Sequence, residues 1–192
     1  MKIIRYELQG KPSVGILREG FIHATTGGIF DGLVETGEKV PLASVRVLSP
    51  VQPSKIIGIG LNYLGHVKEK GFEVPEEPLI FLKPPSSVIG HLDPIIYPEK
   101  TDVVELEGEL GVVIGKKARH VHEGEALQYV LGYTVVNDVS ARDYQKKDKQ
   151  WTRGKGFDTF CPAGPVIATG LDPDNLKIET RLNGKTNQSS TT

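Results

Sequence analysis

Residues 103–114 read VVELEGELGVVI, and this segment is the most informative about the architecture. Acidic and apolar side chains alternate along it with a period of two, as in a strand with one polar and one apolar face. We therefore predict one long strand here, with Glu105, Glu107 and Glu109 on the polar face. Three carboxylates in a row repel one another unless a positive charge lies beside them. A divalent cation would supply that charge, and an exposed edge strand whose acids face water is the alternative.

A further acid follows the apolar strand predicted over residues 130–137. Asp138 comes where this strand ends and the backbone leaves the core, so its side chain can meet groups from a neighbouring strand. A turn-forming or helix-capping role is the alternative for this aspartate. Three carboxylates from two strands would leave positions open for water or substrate, and oxygen ligands alone favour Mg²⁺, Mn²⁺ or Ca²⁺ over Zn²⁺.

The rest of the chain predicts a turn-rich, mostly β protein with short helices. Gly and Pro number 22 and 13 of 192 residues, and no segment keeps a 3.6-residue apolar period for long. Residues 1–52 are predicted to form a small N-terminal β subdomain and linker, and residues 53–192 the main domain. Asn62 and Ser140 are each predicted to cap a short helix.

Charge and composition exclude several classes of function. The 23 basic and 24 acidic residues leave a net charge of -1, so we expect no nucleic-acid partner. The chain has no apolar stretch of the ~20 residues that a membrane span needs, and its charged N-terminus is unlike a signal peptide, so we expect a cytoplasmic protein. The single cysteine, Cys161, has apolar neighbours and is predicted to be a packed core thiol.

His66 and Glu69 lie three residues apart on one face of the first predicted helix. Glu69 could accept a hydrogen bond from one ring nitrogen and leave the other basic, as a water-activating base requires. A solvated helix face is the alternative. Gly58 and Gly60 follow a strand, but Tyr63 occupies the third glycine position of the dinucleotide fingerprint, which argues against a nucleotide site.

An ordered string of five motifs resembles the fumarylacetoacetate hydrolase family. The motifs are IGLNY with His66 (residues 59–66), FLKP (81–84), EGEL (107–110), GYT through NDVSARD with Gln145 (132–145) and KGFDTFCPAGP (155–165). The resemblance covers roughly residues 53–192. It implies a mixed-sheet β-roll, often a homodimer, with a divalent metal held by Glu107, Glu109 and Asp138; Mg²⁺ is expected, with Mn²⁺ or Ca²⁺ as alternatives.

The same resemblance implies roles for the remaining residues. His66 and Glu69 would be the water-activating dyad of hydrolytic members, and Lys155 a cation near the substrate carbonyl. Arg142 and Gln145 would contact the substrate, and Glu105 would lie outside the metal's immediate ligands. The implied activity is hydrolysis of a C–C bond in a small acylpyruvate or diketo acid.

Other functions stay open at this point. Isomerisation of a hydroxyhepta-diene-dioate and decarboxylation of a 2-oxo acid use the same shared intermediate in relatives. A noncatalytic, metal-stabilised β module is a further alternative.

The sequence also leads to a prediction for the C-terminal end of the chain. Asn183-Gly184 predicts a turn, and the chain stops where a returning strand would begin. Family members continue with further strands and a loop that lines the site. We therefore expect that the C-terminal part is missing, that the strand after Gly184 is poorly anchored, and that these residues alone are inactive and poorly stable.

Overall fold

The structure is a computed structural model that describes the backbone of residues 1–192 and every side chain except those of His66 and Lys70. Fifteen strands and three short helices follow one another in the described chain. The strands are β1 (Lys2–Leu8), β2 (Lys11–Arg18), β3 (Phe21–Thr26), β4 (Val34–Pro41), β5 (Arg46–Val47), β6 (Ile56–Gly60), β7 (Leu79–Lys83), β8 (Val88–Ile89), β9 (Val104–Glu105), β10 (Gly108–Ile114), β11 (Val130–Asn137), β12 (Ser140–Ala141), β13 (Cys161–Ala168), β14 (Lys177–Leu182) and β15 (Lys185–Thr191). The helices are α1 (Leu64–Lys70), α2 (Arg142–Asp148) and α3 (Thr152–Lys155).

Nine of the strands form one mixed sheet. Its main path runs β10-β11-β13-β1-β2-β3-β4, with β5 added beside β1 and β8 beside β13. The β8–β13 pair is parallel, and the other pairs of this sheet are antiparallel. The N-terminal strands therefore continue the sheet that carries the acidic strand β10. Buried apolar side chains fill its faces, among them Ile3, Ile4, Ile22 and Ile167.

The long strand predicted over residues 103–114 is divided into β9 and β10, so that prediction was wrong. The chain changes partner at Leu106 and Glu107: β9 pairs with β12, whereas β10 pairs with β11. Asn137 causes part of this change, because its side-chain oxygen accepts the Glu107 backbone N–H at 3.0 Å. The Asp138 N–H in turn donates to the Glu107 carbonyl at 2.8 Å. These bonds place Glu107 and Asp138 side by side.

The segment after Gly184 forms a paired strand whose residues are all exposed, and the expected poor stability of this end stays a prediction. β15 pairs with β14 along its length, from Leu182 opposite Lys185 to Lys177 opposite Thr191. Asn183 and Gly184 have φ angles of 50° and 78°, which is the backbone of the tight turn that joins two twisted strands.

The helices begin near the predicted positions but with other caps. Tyr63, not Asn62, is the N-cap of α1, and Ala141, not Ser140, is that of α2. The Ser140 hydroxyl donates instead to the Asp138 carbonyl at 2.9 Å. None of the helices in the described chain is long and apolar enough to cross a bilayer.

Candidate active site

A buried group of alternating charges lies where β10 begins and β11 ends. Lys155 Nζ donates to Glu107 Oε2 and to Asp138 Oδ2, each at 2.5 Å. Lys83 Nζ donates to the other Asp138 oxygen, Oδ1, at 2.6 Å and to the Val139 carbonyl at 3.2 Å. Lys83 and Lys155 are 3% and 2% exposed, so both ammonium groups are removed from bulk water. Buried charges persist when they are paired and hydrogen-bonded, and these are.

Arg142, the first residue of α2, contacts the carboxylates of this group. Its guanidinium bonds to Glu107 Oε1, to Glu105 Oε2 at 2.7 Å and to Gln145 Oε1 at 2.9 Å. Arg142 and Lys155 thus both contact Glu107, and their expected contact with a substrate stays a prediction. Glu105 lies apart from the buried carboxylates, with 55% of its side chain exposed.

The carboxyl group of Glu109 has a raised pKa. Burial first, and then the negative charges of Glu107 and Asp138, raise the pKa of Glu109 to about 7. Burial and the nearby Glu109 in turn raise the pKa of Tyr63 to about 12. A hydrogen bond from Tyr63 and the charge of Lys155 lower the pKa of Glu109, but burial and the two neighbouring carboxylates outweigh them.

Lys155 lowers the pKa of both Glu107 and Asp138, but the balance with burial differs between them. Burial alone would raise the pKa of Glu107, but Lys155 and Arg142 outweigh burial and lower this pKa to about 2. Burial raises the pKa of Asp138 and is opposed by Lys83 and Lys155. Burial also lowers the pKa of Lys83, against the opposing effect of Asp138. We assign both bridging carboxylates the ionised form, because each accepts short bonds from two cationic side chains.

The predicted dyad is described only in part. His66 lies in α1, but its side chain is outside the described residues, so its pairing with Glu69 stays a prediction. Glu69 is on the exposed side of this helix, whereas Val67 is buried.

The donors fit a hard divalent cation in chemistry, although their present arrangement does not hold one. No three His, Cys, Asp or Glu side chains among those described are arranged to ligate a metal ion together. The Lys155 ammonium lies between Glu107 and Asp138. Carboxylate oxygens are the ligands that Mg²⁺ and Mn²⁺ prefer, and Glu107, Glu109 and Asp138 supply them.

Three members of this site were not predicted from the sequence. Lys83 was quoted only as part of a motif, and Phe81 and Trp151 were given no role. A signal existed for Lys83, since the period of two in β7 puts it on the same buried face as Phe81, while Leu82 is 51% exposed. A lysine on the buried face of a strand requires a partner, and that partner is Asp138. Cys161 is buried as predicted, and burial raises the pKa of its thiol to about 11.

Comparison with known proteins identifies the family. Residues 55–192 match the family described as fumarylacetoacetate (FAA) hydrolase C-terminal, and residues 1–50 match the family described as Rv2993c-like, N-terminal. The chain belongs to the fumarylacetoacetate hydrolase family. The predicted family and its mostly β fold are therefore confirmed.

Two relatives of the fumarylacetoacetate hydrolase family illustrate its range. An uncharacterized protein from Archaeoglobus fulgidus is 56% identical over 160 residues, which are 83% of this chain and 64% of that protein. The mitochondrial oxaloacetate tautomerase Fahd2a of Rattus norvegicus is 48% identical over 158 residues, which are 80% of this chain and 50% of that enzyme. The chain thus spans between half and two thirds of the length of these relatives.

Two solved structures of the family share the fold. The 5-carboxymethyl-2-hydroxymuconate delta-isomerase from Mycobacterium smegmatis has a TM-score of 0.91 and 41% identity, with 99% of this chain and 75% of that one covered. Maleylpyruvate hydrolase from Sphingobium, solved with manganese(II) and pyruvate, has a TM-score of 0.79 and 26% identity, with 100% and 76% covered. Family members thus include tautomerases, isomerases and hydrolases, and a divalent metal is bound in one of them.

Proposed function

We propose that this chain provides the catalytic residues of a divalent-metal-dependent enzyme that interconverts the keto and enol forms of a small 2-oxo diacid such as oxaloacetate. The observation that carries the proposal is the buried ammonium of Lys155, shared by Glu107 and Asp138 and backed by Lys83 and Arg142. The cationic side chains of Lys83, Arg142 and Lys155 offset the charges of Glu107, Asp138 and Glu109, so an anionic substrate meets less repulsion here than the carboxylates alone would exert. The 48% identity to an oxaloacetate tautomerase supports this choice of reaction.

The chain's own residues would act on the substrate in three ways. Lys155 Nζ donates a hydrogen bond to the 2-oxo oxygen, where negative charge develops when a proton leaves the neighbouring carbon. Arg142 offers a planar fork of N–H donors to a substrate carboxylate, with Gln145 beside it. His66, oriented by Glu69, takes the proton from the carbon and returns it. The burial of Lys155 keeps water away from the charged oxygen.

Glu107, Glu109 and Asp138 would hold the cation. When bound, it supplies Lewis-acid stabilisation of negative charge on the substrate oxygens. Mg²⁺ is the proposed ion, with Mn²⁺ or Ca²⁺ as alternatives.

Hydrolysis of an acylpyruvate stays a prediction from the sequence, and so do isomerisation and decarboxylation. All of these reactions stabilise the same kind of charge, and they differ in what the base activates. The His66–Glu69 dyad is needed for hydrolysis, because it must deprotonate water. The homodimer also stays a prediction, to be checked by light scattering for twice the 21.0 kDa of one chain.

The test is a set of assays on the purified protein after removal of metal. Loss of enol absorbance from oxaloacetate, cleavage of acetylpyruvate and release of CO₂ are measured with EDTA and with MgCl₂. We expect Mg²⁺-dependent tautomerisation that Lys155→Met lowers by at least about 100-fold, as for removal of an oxyanion donor. Lys177→Met is the matched control, because Lys177 is 70% exposed and lies on β14.

The outcomes separate the alternatives. Turnover of acetylpyruvate that His66→Ala lowers by about 10²-fold or more would favour hydrolysis. Metal-dependent melting without turnover in any of the three assays would make the chain a noncatalytic β module and end the proposal.

A further inference from the structure

Tyr63 is joined to the acidic strand β10 by its hydroxyl group. The Leu110 N–H donates to the Tyr63 hydroxyl oxygen at 3.3 Å. The same hydroxyl donates a hydrogen bond to the carboxylate of Glu109. A phenolic hydroxyl can accept and donate at once, so the two bonds are compatible. Tyr63 is therefore bonded both to the backbone and to a side chain of β10.

The position of β10 in the sheet explains why its backbone needs such partners. β10 is the first strand on the path of the nine-stranded sheet, and alternate N–H groups of such an edge strand point away from its neighbour β11. Gly108 and Leu110 are two residues apart, and the Gly108 N–H donates to Gln188 Oε1 at 3.1 Å. The side chains of Gln188 and Tyr63 thus satisfy two successive outward N–H groups of β10.

The backbone of Tyr63 begins the helix that carries the predicted dyad. Tyr63 is the N-cap of α1, and the Val67 N–H donates to its carbonyl at 3.0 Å. Two residues earlier, Leu61 has a φ of 53°, in the left-handed region that leucine rarely adopts. Backbone strain of this kind persists where the surrounding contacts hold it. The bonds from Tyr63 to β10 are such contacts, placed just after the strained residue.

We propose that Tyr63 is a positioning residue that fixes the start of α1 against β10 and keeps the Glu109 carboxylate beside this helix. The inference rests on the proposed function, because that function places the base on α1. Tyr63 acts through these groups and is assigned no contact with the substrate. Arg142 and Lys155, which are proposed to bind the substrate, belong to α2 and α3. Loss of the Tyr63 hydroxyl should therefore slow proton transfer and leave substrate binding nearly unchanged.

Hydrogen exchange of single amides, measured by NMR, tests the contact. We expect the Leu110 amide of the wild-type protein to be protected, although β10 is an edge strand. Tyr63→Phe keeps the ring and removes the acceptor, so this amide should exchange at least about fivefold faster, the factor that corresponds to one hydrogen bond. The Gly108 amide, whose acceptor is Gln188, should keep its rate. An unprotected Leu110 amide in the wild-type protein, or an equal rate in the variant, would overturn the inference.

Steady-state kinetics test the effect on the reaction. Tautomerisation of oxaloacetate is followed with MgCl₂ in the wild-type protein, in Tyr63→Phe and in Tyr97→Phe. Tyr97 is the matched control, because it is 55% exposed and lies in the loop after β8. We expect Tyr63→Phe to lower kcat by about tenfold or more, because a small misplacement of a catalytic group slows the reaction. KM should stay within about threefold of the wild-type value, and the control should keep both constants.

The outcomes separate the inference from the proposed function. Faster exchange at Leu110 with an unchanged kcat would make the contact purely structural and would overturn the inference alone. A rise in KM with an unchanged kcat would overturn it too, since it would indicate that Tyr63 contacts the substrate. A wild-type protein without turnover would end the proposed function, and the inference with it.

Discussion

Replacing Glu109 by glutamine should stabilise the metal-free protein at alkaline pH. Burial, Glu107 and Asp138 raise the pKa of this carboxyl from 4.5 to about 7. The native state therefore holds a proton that the unfolded state has lost between these two values, and the free energy of unfolding falls as the pH rises from about 4.5 to 7. Each pKa unit corresponds to ~1.4 kcal/mol, so the loss reaches at most about 3 kcal/mol above pH 7. Glutamine avoids this loss because it carries no charge.

The assay is thermal and urea unfolding from pH 4.5 to 8 in EDTA. At pH 8 we expect Glu109→Gln to melt at most about 10 °C above the wild type, since 1 kcal/mol shifts the midpoint of a chain this size by about 2 to 4 °C. Glu125→Gln, an exposed carboxylate on the short turn of residues 123–129, serves as the control and should change stability by less than about 0.5 kcal/mol. A glutamine variant that melts no higher than the wild type at pH 8 would refute this account of Glu109.

Two further predictions concern the buried Lys83 and the close packing of Gly58 against the Phe81 ring. Lys83→Met leaves the buried Asp138 with one cation in place of two, so the free energy of unfolding in urea should fall by about 3 kcal/mol or more. The double variant with Asp138→Asn should recover part of this loss. No recovery would contradict the pairing. Gly58→Ala should lower the free energy of unfolding by about 1 to 3 kcal/mol, because its methyl group meets the Phe81 ring. Gly124 has open space around it, so Gly124→Ala should change this free energy by less than about 0.5 kcal/mol. Equal effects of the two alanines would disprove the close packing.

Local patterns predicted those parts of the fold that depend on near neighbours. The strand predicted over residues 130–137 is found with those bounds as β11, because alternation and β-propensity act within a few residues. The break between β9 and β10 could not be predicted in this way. It depends on Asn137, which lies 30 residues away and bonds to the Glu107 backbone.

The candidate site shows the same division. The family motifs drew attention to Glu107, Asp138 and Lys155, and the structure brings these three into contact. From the sequence we predicted that the carboxylates bind a metal ion, but not that the ammonium of Lys155 lies between two of them. That contact joins the residue before β10 and the residue after β11 to α3, so only the tertiary structure reveals it.

The pairing of β1 with β13 has a consequence for how the protein opens. The two family matches meet between residues 50 and 55, yet Ile3 of the first match lies opposite Ile167 of the second in a hydrogen-bonded register. Amide protons of both strands are protected by shared bonds, so they should exchange with solvent through one common opening rather than two. We therefore expect the two matched regions to unfold as one cooperative unit. Removal of residues 1–52 would expose an edge of β13, in the sheet that also contains β10 and β11.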